Sequence, residues 1–221
     1  LGWIFDGIER SIQLPTEKKD QIIIELKRIV RCKNIPLQRY QEIVGKLRHA
    51  ALGLPTGKGL FTSLYEAIRT NPRFVHLNES VKLAFRDWKV LINMTKNKSI
   101  NVKQLVARYP EYVGECDACT YGLGGVWFKG PGLTQPIVWR LQLPKEISDM
   151  LKKHHISISE LEMAAHLVQF IILEYIVPLK YKSVGIFSDN TPTVSWATKL
   201  CAKNSMLVGR LLRALALRNN I

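Results

Sequence analysis

Cysteine is sparse in this sequence, with only Cys32, Cys116, Cys119 and Cys201 among 221 residues. A secretory leader is not visible either, because Leu1-Gly2-Trp3-Ile4-Phe5 runs into Asp6 and Glu9 before an apolar region develops. Together these shortages exclude a disulfide-stapled scaffold and imply a reducing intracellular compartment, cytoplasm or nucleus. Long apolar runs are missing as well. The longest, Met163 to Leu179, contains His166, Gln169, Glu174 and Pro178, and reads as a buried helix, not a membrane span. Internal repeats and low-complexity segments are absent, and 47% hydrophobic with 23% charged residues suits a chain that buries a core in one large or two small domains. A phosphate-binding loop is not formed by Gly53-Leu54-Pro55-Thr56-Gly57-Lys58-Gly59. Its first two glycines are one residue too close, and Gly59 stands where Ser or Thr would hold magnesium.

Acidic residues are the remaining shortage: 18 Asp and Glu face 32 Lys and Arg, a net charge of +14. The surplus is uneven. Residues 1–110 hold 20 cations against nine acids, while 111–221 hold 12 against nine. The first half is therefore the side expected to meet a polyanion.

What is present divides by period. "LGWIF", a turn at Asp6-Gly7 and "IERSIQL" predict a hairpin. Thr16 offers an N-cap for a helix with Ile22, Ile23, Leu26, Ile29 and Val30 at helical spacing. After Pro36, Tyr40, Ile43, Val44 and Leu47 mark a second helix over 37–52, and further helices are expected at about 58–70 and 79–95. From Tyr112 the pattern changes to a three-strand antiparallel meander ending in "PIVWRLQL". A long helix from about Ser159 to Ile176 follows, then a strand "KSVGIFSD" and helices after Asn190 and Asn204. The expected architecture is a basic helical segment, residues 1–100, followed by an α/β domain with a mixed sheet, residues 101–221. Lys96-Asn97-Lys98-Ser99 reads as the linker.

Two chemistries compete in "GECDACTYGLGG". Cys116 and Cys119 suggest a redox pair or half a zinc site, but no helix start follows them, and Cys32, Cys201 and the adjacent His154-His155 do not complete a zinc set. The carboxylates are the better candidates. Strand alternation puts Val113, Glu115 and Asp117 on one face, and Asp is disfavoured within a strand unless it is paired or bound to a cation. At the head of the long helix, Glu160 aligns with Ala164, Leu167 and Ile171 and is expected to face the sheet. Glu162 aligns with His166 and Gln169 and is expected to face outward. A purely structural account of Glu160 is also open, since Ser157 could complete a capping box with it. Asp189 ends a strand, and Asn190 could cap the helix that follows. A strand Asp, a helix-head Glu and a strand-end Asp can converge at one end of a mixed sheet. Such a cluster is made tolerable by two hard divalent ions, whose chemistry is phosphodiester hydrolysis.

The segments "CDACTYGLGGVW", "ISISELEMAAH" and "IFSDNTPTVSW" resemble the ribonuclease H domain of retroelement polyproteins. The upstream "LGWIFD" hairpin and "LQRYQEIVGKLRHAALGLPTGKGLFTSLYEAI" resemble the thumb and connection region of reverse transcriptases, especially those of DIRS-like retrotransposons. The resemblance implies a ribonuclease H-like mixed sheet with Asp117, Glu160 and Asp189 as catalytic residues and ligands of two Mg²⁺ or Mn²⁺ ions. The implied substrate is the RNA strand of an RNA/DNA hybrid. Lys46, Arg48, Lys58 and Asn190 are the expected nucleic-acid contacts, and the polymerase portion of the same polyprotein is the expected partner. The polymerase's paired-aspartate motif is absent, and the 32 residues after Asp189 lack the family's fourth carboxylate, so the domain is expected to be truncated. A catalytically incomplete or domesticated nucleic-acid-binding fragment is the alternative.

Overall fold

Apolar residues spaced three and four apart build most of the first half. The computed structural model describes residues 2–95, 99–102, 105–106, 109–179, 182–202 and 205–218; Lys96 to Lys98 of the expected linker lie outside them. Strands β1 (Ile4–Asp6) and β2 (Ser11–Gln13) pair antiparallel. The Asp6 carboxylate accepts from the Ile8 and Glu9 N–H groups at 2.9 and 2.8 Å, so the hairpin turn is wider than Asp6-Gly7 alone. Helix α1 (Thr16–Ile29) starts behind Pro15 without a side-chain cap, so Thr16 is its first residue and not its N-cap. It buries Ile22, Ile23, Leu26 and Ile29 as its spacing requires.

A short ladder of β3 (Asn34–Pro36) and β4 (Phe74–His76), not expected from the pattern, brackets α2 (Leu37–Ala50). A 3₁₀ segment, Pro55–Leu60, leads into the single-turn-and-a-half α3 (Phe61–Glu66), shorter than the helix predicted there. Helix α4 (Glu79–Met94) is capped by Asn78, whose Oδ1 accepts from the Val81 N–H at 3.0 Å. A third strand, β5 (Ile100–Asn101), joins β2.

The second half begins with β6 (Tyr112–Ala118), β7 (Gly122–Lys129) and β8 (Ile137–Gln142), the expected meander. Helices α5 (Lys145–Lys152) and α6 (Ile158–Ile176), strand β9 (Val184–Phe187) and α7 (Thr191–Lys199) follow. The sheet order is β8-β7-β6-β9, antiparallel except for the β6–β9 pair, which is parallel. The mixed α/β architecture is therefore present.

The chain divides into two units, Leu1–Ala107 with Leu200–Ile221, and Arg108–Lys199. This departs from a boundary at 100 with everything after it in one domain. The last helix, α8 (Met206–Arg218), belongs to the first unit. A Cβ on Gly59 would come within 2.8 Å of the Leu212 carbonyl, and one on Gly209 within 2.8 Å of Thr62, so these glycines let α8 lie tightly on the 3₁₀ segment and α3. Arg213 Nε donates to the buried Asp87 carboxylate, and Arg213 Nη2 adds a second bond at 3.2 Å. Among the described residues no helix is long and apolar enough to cross a membrane.

In the second unit α6 lies across β6 and β7. Its face toward the sheet includes Gln169, which is fully buried. Glycines make that possible: a Cβ on Gly125 would lie 2.5 Å from Gln169 Oε1 and 2.7 Å from the Glu115 carbonyl. In the slot, Gln169 Nε2 donates to the Val126 carbonyl at 2.9 Å, Oε1 accepts from Trp139 Nε1, and the Gln169 carbonyl accepts from Trp127 Nε1 at 3.0 Å. Both polar atoms of the Gln169 side chain thus have a partner in the sheet, as burial demands. Gly125→Ala is expected to cost about 1–3 kcal/mol through overpacking and loss of these bonds. Thermal melts check this; a variant melting with the parent would show that the slot has slack.

Candidate metal centre

Parallel pairing of β6 with β9 aligns their carboxyl ends, with Glu115 opposite Phe187. Two residues further along the chain in each case come Asp117, still in β6, and Asp189, just past the end of β9, which therefore arrive at the same end of the sheet. Helix α6 supplies the third acid. One oxygen from each of Asp117, Glu162 and Asp189 lies within 4.8 Å of the others, with Glu162 buried and the two aspartates exposed.

Glu162, not Glu160, is the glutamate at this centre. Glu160 forms the capping box of α6: its Oε2 accepts from the Ser157 N–H at 2.7 Å and from Ser157 Oγ at 3.1 Å, while Ser157 Oγ accepts from the Glu160 N–H at 3.3 Å. The expectation that Glu160 faces inward and Glu162 outward is thus reversed. Apolarity alone misassigned the face, because the residues of α6 that meet the sheet include Glu162, Gln169 and Leu173. The glycine slot brings this polar stripe close to the strands. Two signals in the sequence could have shown it. Ser157 and Glu160 stand three apart, already a complete capping box, and Gln169 stands seven after Glu162, two turns along the same face.

Among the described residues no counter-charge is found at this site. The Ala118 N–H donates to Asp117 Oδ1 at 2.8 Å and to Glu162 Oε1 at 3.3 Å, holding both acids at the end of β6. Glu162 Oε2 is buried with no donor. Its companions are themselves acceptors. Burial, a hydrogen bond shared with Asp117, and the charges of Asp117 and Asp189 push the Glu162 carboxyl up from 4.5 to about 7, against a smaller opposing effect of the Ala118 N–H. A proton or a cation among these oxygens relieves that repulsion. A donor set made only of carboxylate oxygen fits a hard divalent ion of the magnesium, manganese or calcium type.

Other candidate residues fall into place around this centre. Asn190 caps α7, accepting from the Thr193 N–H at 3.0 Å, and its Nδ2 donates to Ser159 Oγ at 3.1 Å. Thr193 Oγ1 also donates to the Ser159 carbonyl at 3.2 Å, so this pair ties the start of α7 to the start of α6 and fixes Asp189 beside Glu162. Asn190 is thereby a positioning residue whose amide is engaged within the unit. His166, one turn after Glu162, has a buried Nδ1 without a hydrogen-bond partner, and burial drives its pKa down to about 4, leaving it neutral. Of the expected basic contacts in the first unit, Lys46 is bound to Glu25 Oε2 at 2.8 Å, while Arg48 and Lys58 are exposed.

The sulfur alternative does not gain from the structure. All four cysteines are free. Burial, followed by the nearby charges of Glu162, Asp117 and Glu115, raises the Cys116 thiol to about 12, which keeps it protonated and unreactive at neutral pH.

The fold and site together define a mixed α/β sheet bearing three carboxylates where its two parallel strands end. No protein-family model matches the sequence, and no curated protein does. Among solved structures, one similar chain is the foamy viral protease-reverse transcriptase in complex with RNA/DNA hybrid, at 15% identity and a TM-score of 0.32. The match covers 90% of this chain and 27% of that one. Likeness at that level defines neither the fold nor the activity of this protein.

The raised Glu162 pKa has a signed consequence for stability. In the absence of divalent ions the folded state keeps a proton that the unfolded chain has released, so this group's contribution falls as pH rises from 4.5 to about 7 and levels off above. In EDTA, Glu162→Gln is expected to remove that slope. It should also raise Tm at pH 8 by roughly 2–4 °C for each kcal/mol of repulsion relieved. Melts across this pH range check it, and a Glu162→Gln protein that keeps the parental slope would place the titration elsewhere.

Proposed function

We propose that this protein hydrolyses phosphodiester bonds in the RNA strand of RNA/DNA hybrids, as a ribonuclease H-type domain of a reverse transcriptase. Asp117, Glu162 and Asp189 hold the required magnesium or manganese. The observation that carries this reading is the buried, donorless Glu162 Oε2 facing two further carboxylates. The resemblance of "CDACTYGLGGVW" and "IFSDNTPTVSW" to retroelement ribonuclease H supports it, with Glu162 taking the place first given to Glu160. Two divalent ions, when bound, supply water activation and neutralise charge developing at phosphorus. The chain's own contribution is placement. The Ala118 N–H fixes the carboxylates of β6 and α6, Asn190 and Thr193 anchor the strand end that presents Asp189, and neutral His166 adds no competing positive charge beside Glu162.

With Mg²⁺ and a labelled hybrid, Asp117→Asn, Glu162→Gln and Asp189→Asn are each expected to lower cleavage by more than about 100-fold. Glu160→Ala is expected to keep the rate and to lose roughly 0.3–1.5 kcal/mol of stability as its capping box is broken. Loss of cleavage in Glu160→Ala with retention in Glu162→Gln would reverse the assignment.

A second reading, a non-catalytic nucleic-acid-binding module, draws on one observation: Asp117 and Asp189 are exposed, and burial and the neighbouring Asp117 raise the Glu162 carboxyl to about 7, so protonation of Glu162 relieves the repulsion without any metal. The two readings separate on manganese. Calorimetry is expected to show binding that Asp117→Asn abolishes, whereas absence of heat together with unchanged nucleic-acid affinity would favour the non-catalytic module.

A further inference from the structure

The first unit carries 23 Lys and Arg against nine Asp and Glu, so the whole +14 of the chain resides there, while the second unit has nine of each and no net charge. Four of those cations line one cleft. Between α1 and α4 a cavity of about 240 Å³ is lined by Leu26, Lys27, Val30, Arg31, Phe85, Arg86 and Lys89. Leu26 and Phe85 are buried and form its floor. Lys27, in the last turn of α1, and Arg31, just past its end, stand on one wall, and Arg86 and Lys89, three apart within α4, stand on the other, a like-charge spacing that destabilises an isolated helix. Only Arg86 has an acidic neighbour, Glu79 at 3.6 Å; Lys27, Arg31 and Lys89 make no ion pair among the described residues. The dipole at the end of α1 accounts for Lys27, but Arg86 and Lys89 lie in the body of α4, where a helix dipole offers nothing.

We infer that this cleft seats the phosphodiester backbone of nucleic acid. The volume equals about eight waters, enough for a phosphate with part of its hydration shell. The lining side chains are donors or apolar, with no acceptor among them. A phosphodiester brings acceptors only and is satisfied there. An acidic peptide brings backbone N–H groups as well, which the lining side chains cannot answer. The two arginines present guanidinium forks that match phosphate oxygens, and the apolar floor lowers the local dielectric around them.

The test is binding in EDTA, which makes it independent of any hydrolysis. Anisotropy of a short labelled DNA duplex is followed against salt for the full chain, for the triple variant Lys27→Gln, Arg31→Gln, Lys89→Gln, and for the control triple Lys145→Gln, Lys152→Gln, Lys153→Gln. Circular dichroism confirms that all three are folded. The cleft triple is expected to flatten the slope of log K against log salt by about three, one counterion per lost contact, while the control leaves it unchanged. Glu79→Gln, which frees Arg86, is expected to tighten binding. Equal losses in both triples would show that net charge and not the cleft holds the duplex. Polyglutamate that displaces the duplex from the parent but not from the cleft triple would reassign the site to an acidic protein.

Discussion

A buried carboxylate is costly to ionise without a positive ion beside it, and much of the second unit is arranged around one that meets two further acids and no cation among the described residues. Glu162 sits where α6 crosses the end of β6, with Asp117 and Asp189 on the exposed side. Its position follows from backbone geometry: parallel pairing of β6 and β9 brings two strand ends together, and one N–H, that of Ala118, holds two of the three acids. Repulsion among them is tolerated because the sheet and helix over-determine their placement through contacts that do not involve charge.

The chief of these contacts is the Gln169 slot. Gly114 and Gly125 leave room for an amide where side chains would otherwise meet the helix; Trp139 and the Val126 carbonyl bond that amide, and Trp127 bonds the Gln169 backbone carbonyl. A buried polar group bonded in this way specifies register and rotation more sharply than apolar packing, since a slip leaves donors and acceptors orphaned. The rotation it imposes on α6 is what turns Glu162 toward the strand ends and leaves Glu160 to cap the helix. Structural and chemical roles are thus divided between two glutamates separated by one residue.

Charge is divided just as sharply. A neutral unit bears the acidic centre, and a unit of +14 bears the cleft, where three of the four cations make no ion pair among the described residues. Concentrating positive charge on a helical body with its own apolar core keeps self-repulsion at the solvent surface, where screening is strong. The unpaired cations remain free to exchange small counterions for a polyanion.

The linear pattern by itself determined the elements whose chemistry is periodic. The stripes of α1 and α2, the start of α2 behind Pro36, the span of α4, the meander and the long helix all follow from spacing and turn residues. It also determined that the acids worth examining lay on β6, at the head of α6 and after β9. Only the tertiary structure decided which glutamate joins the aspartates, because that depends on helix rotation, and rotation was set by Gln169 entering a glycine slot formed by strands far away in the chain. It likewise decided that α8 belongs with the first unit. Nothing local distinguishes "MLVGRLLRALALR" from any other amphipathic helix, and its partner is fixed by Gly59, Gly209 and the Asp87–Arg213 pair, contacts that exist only once distant segments have met.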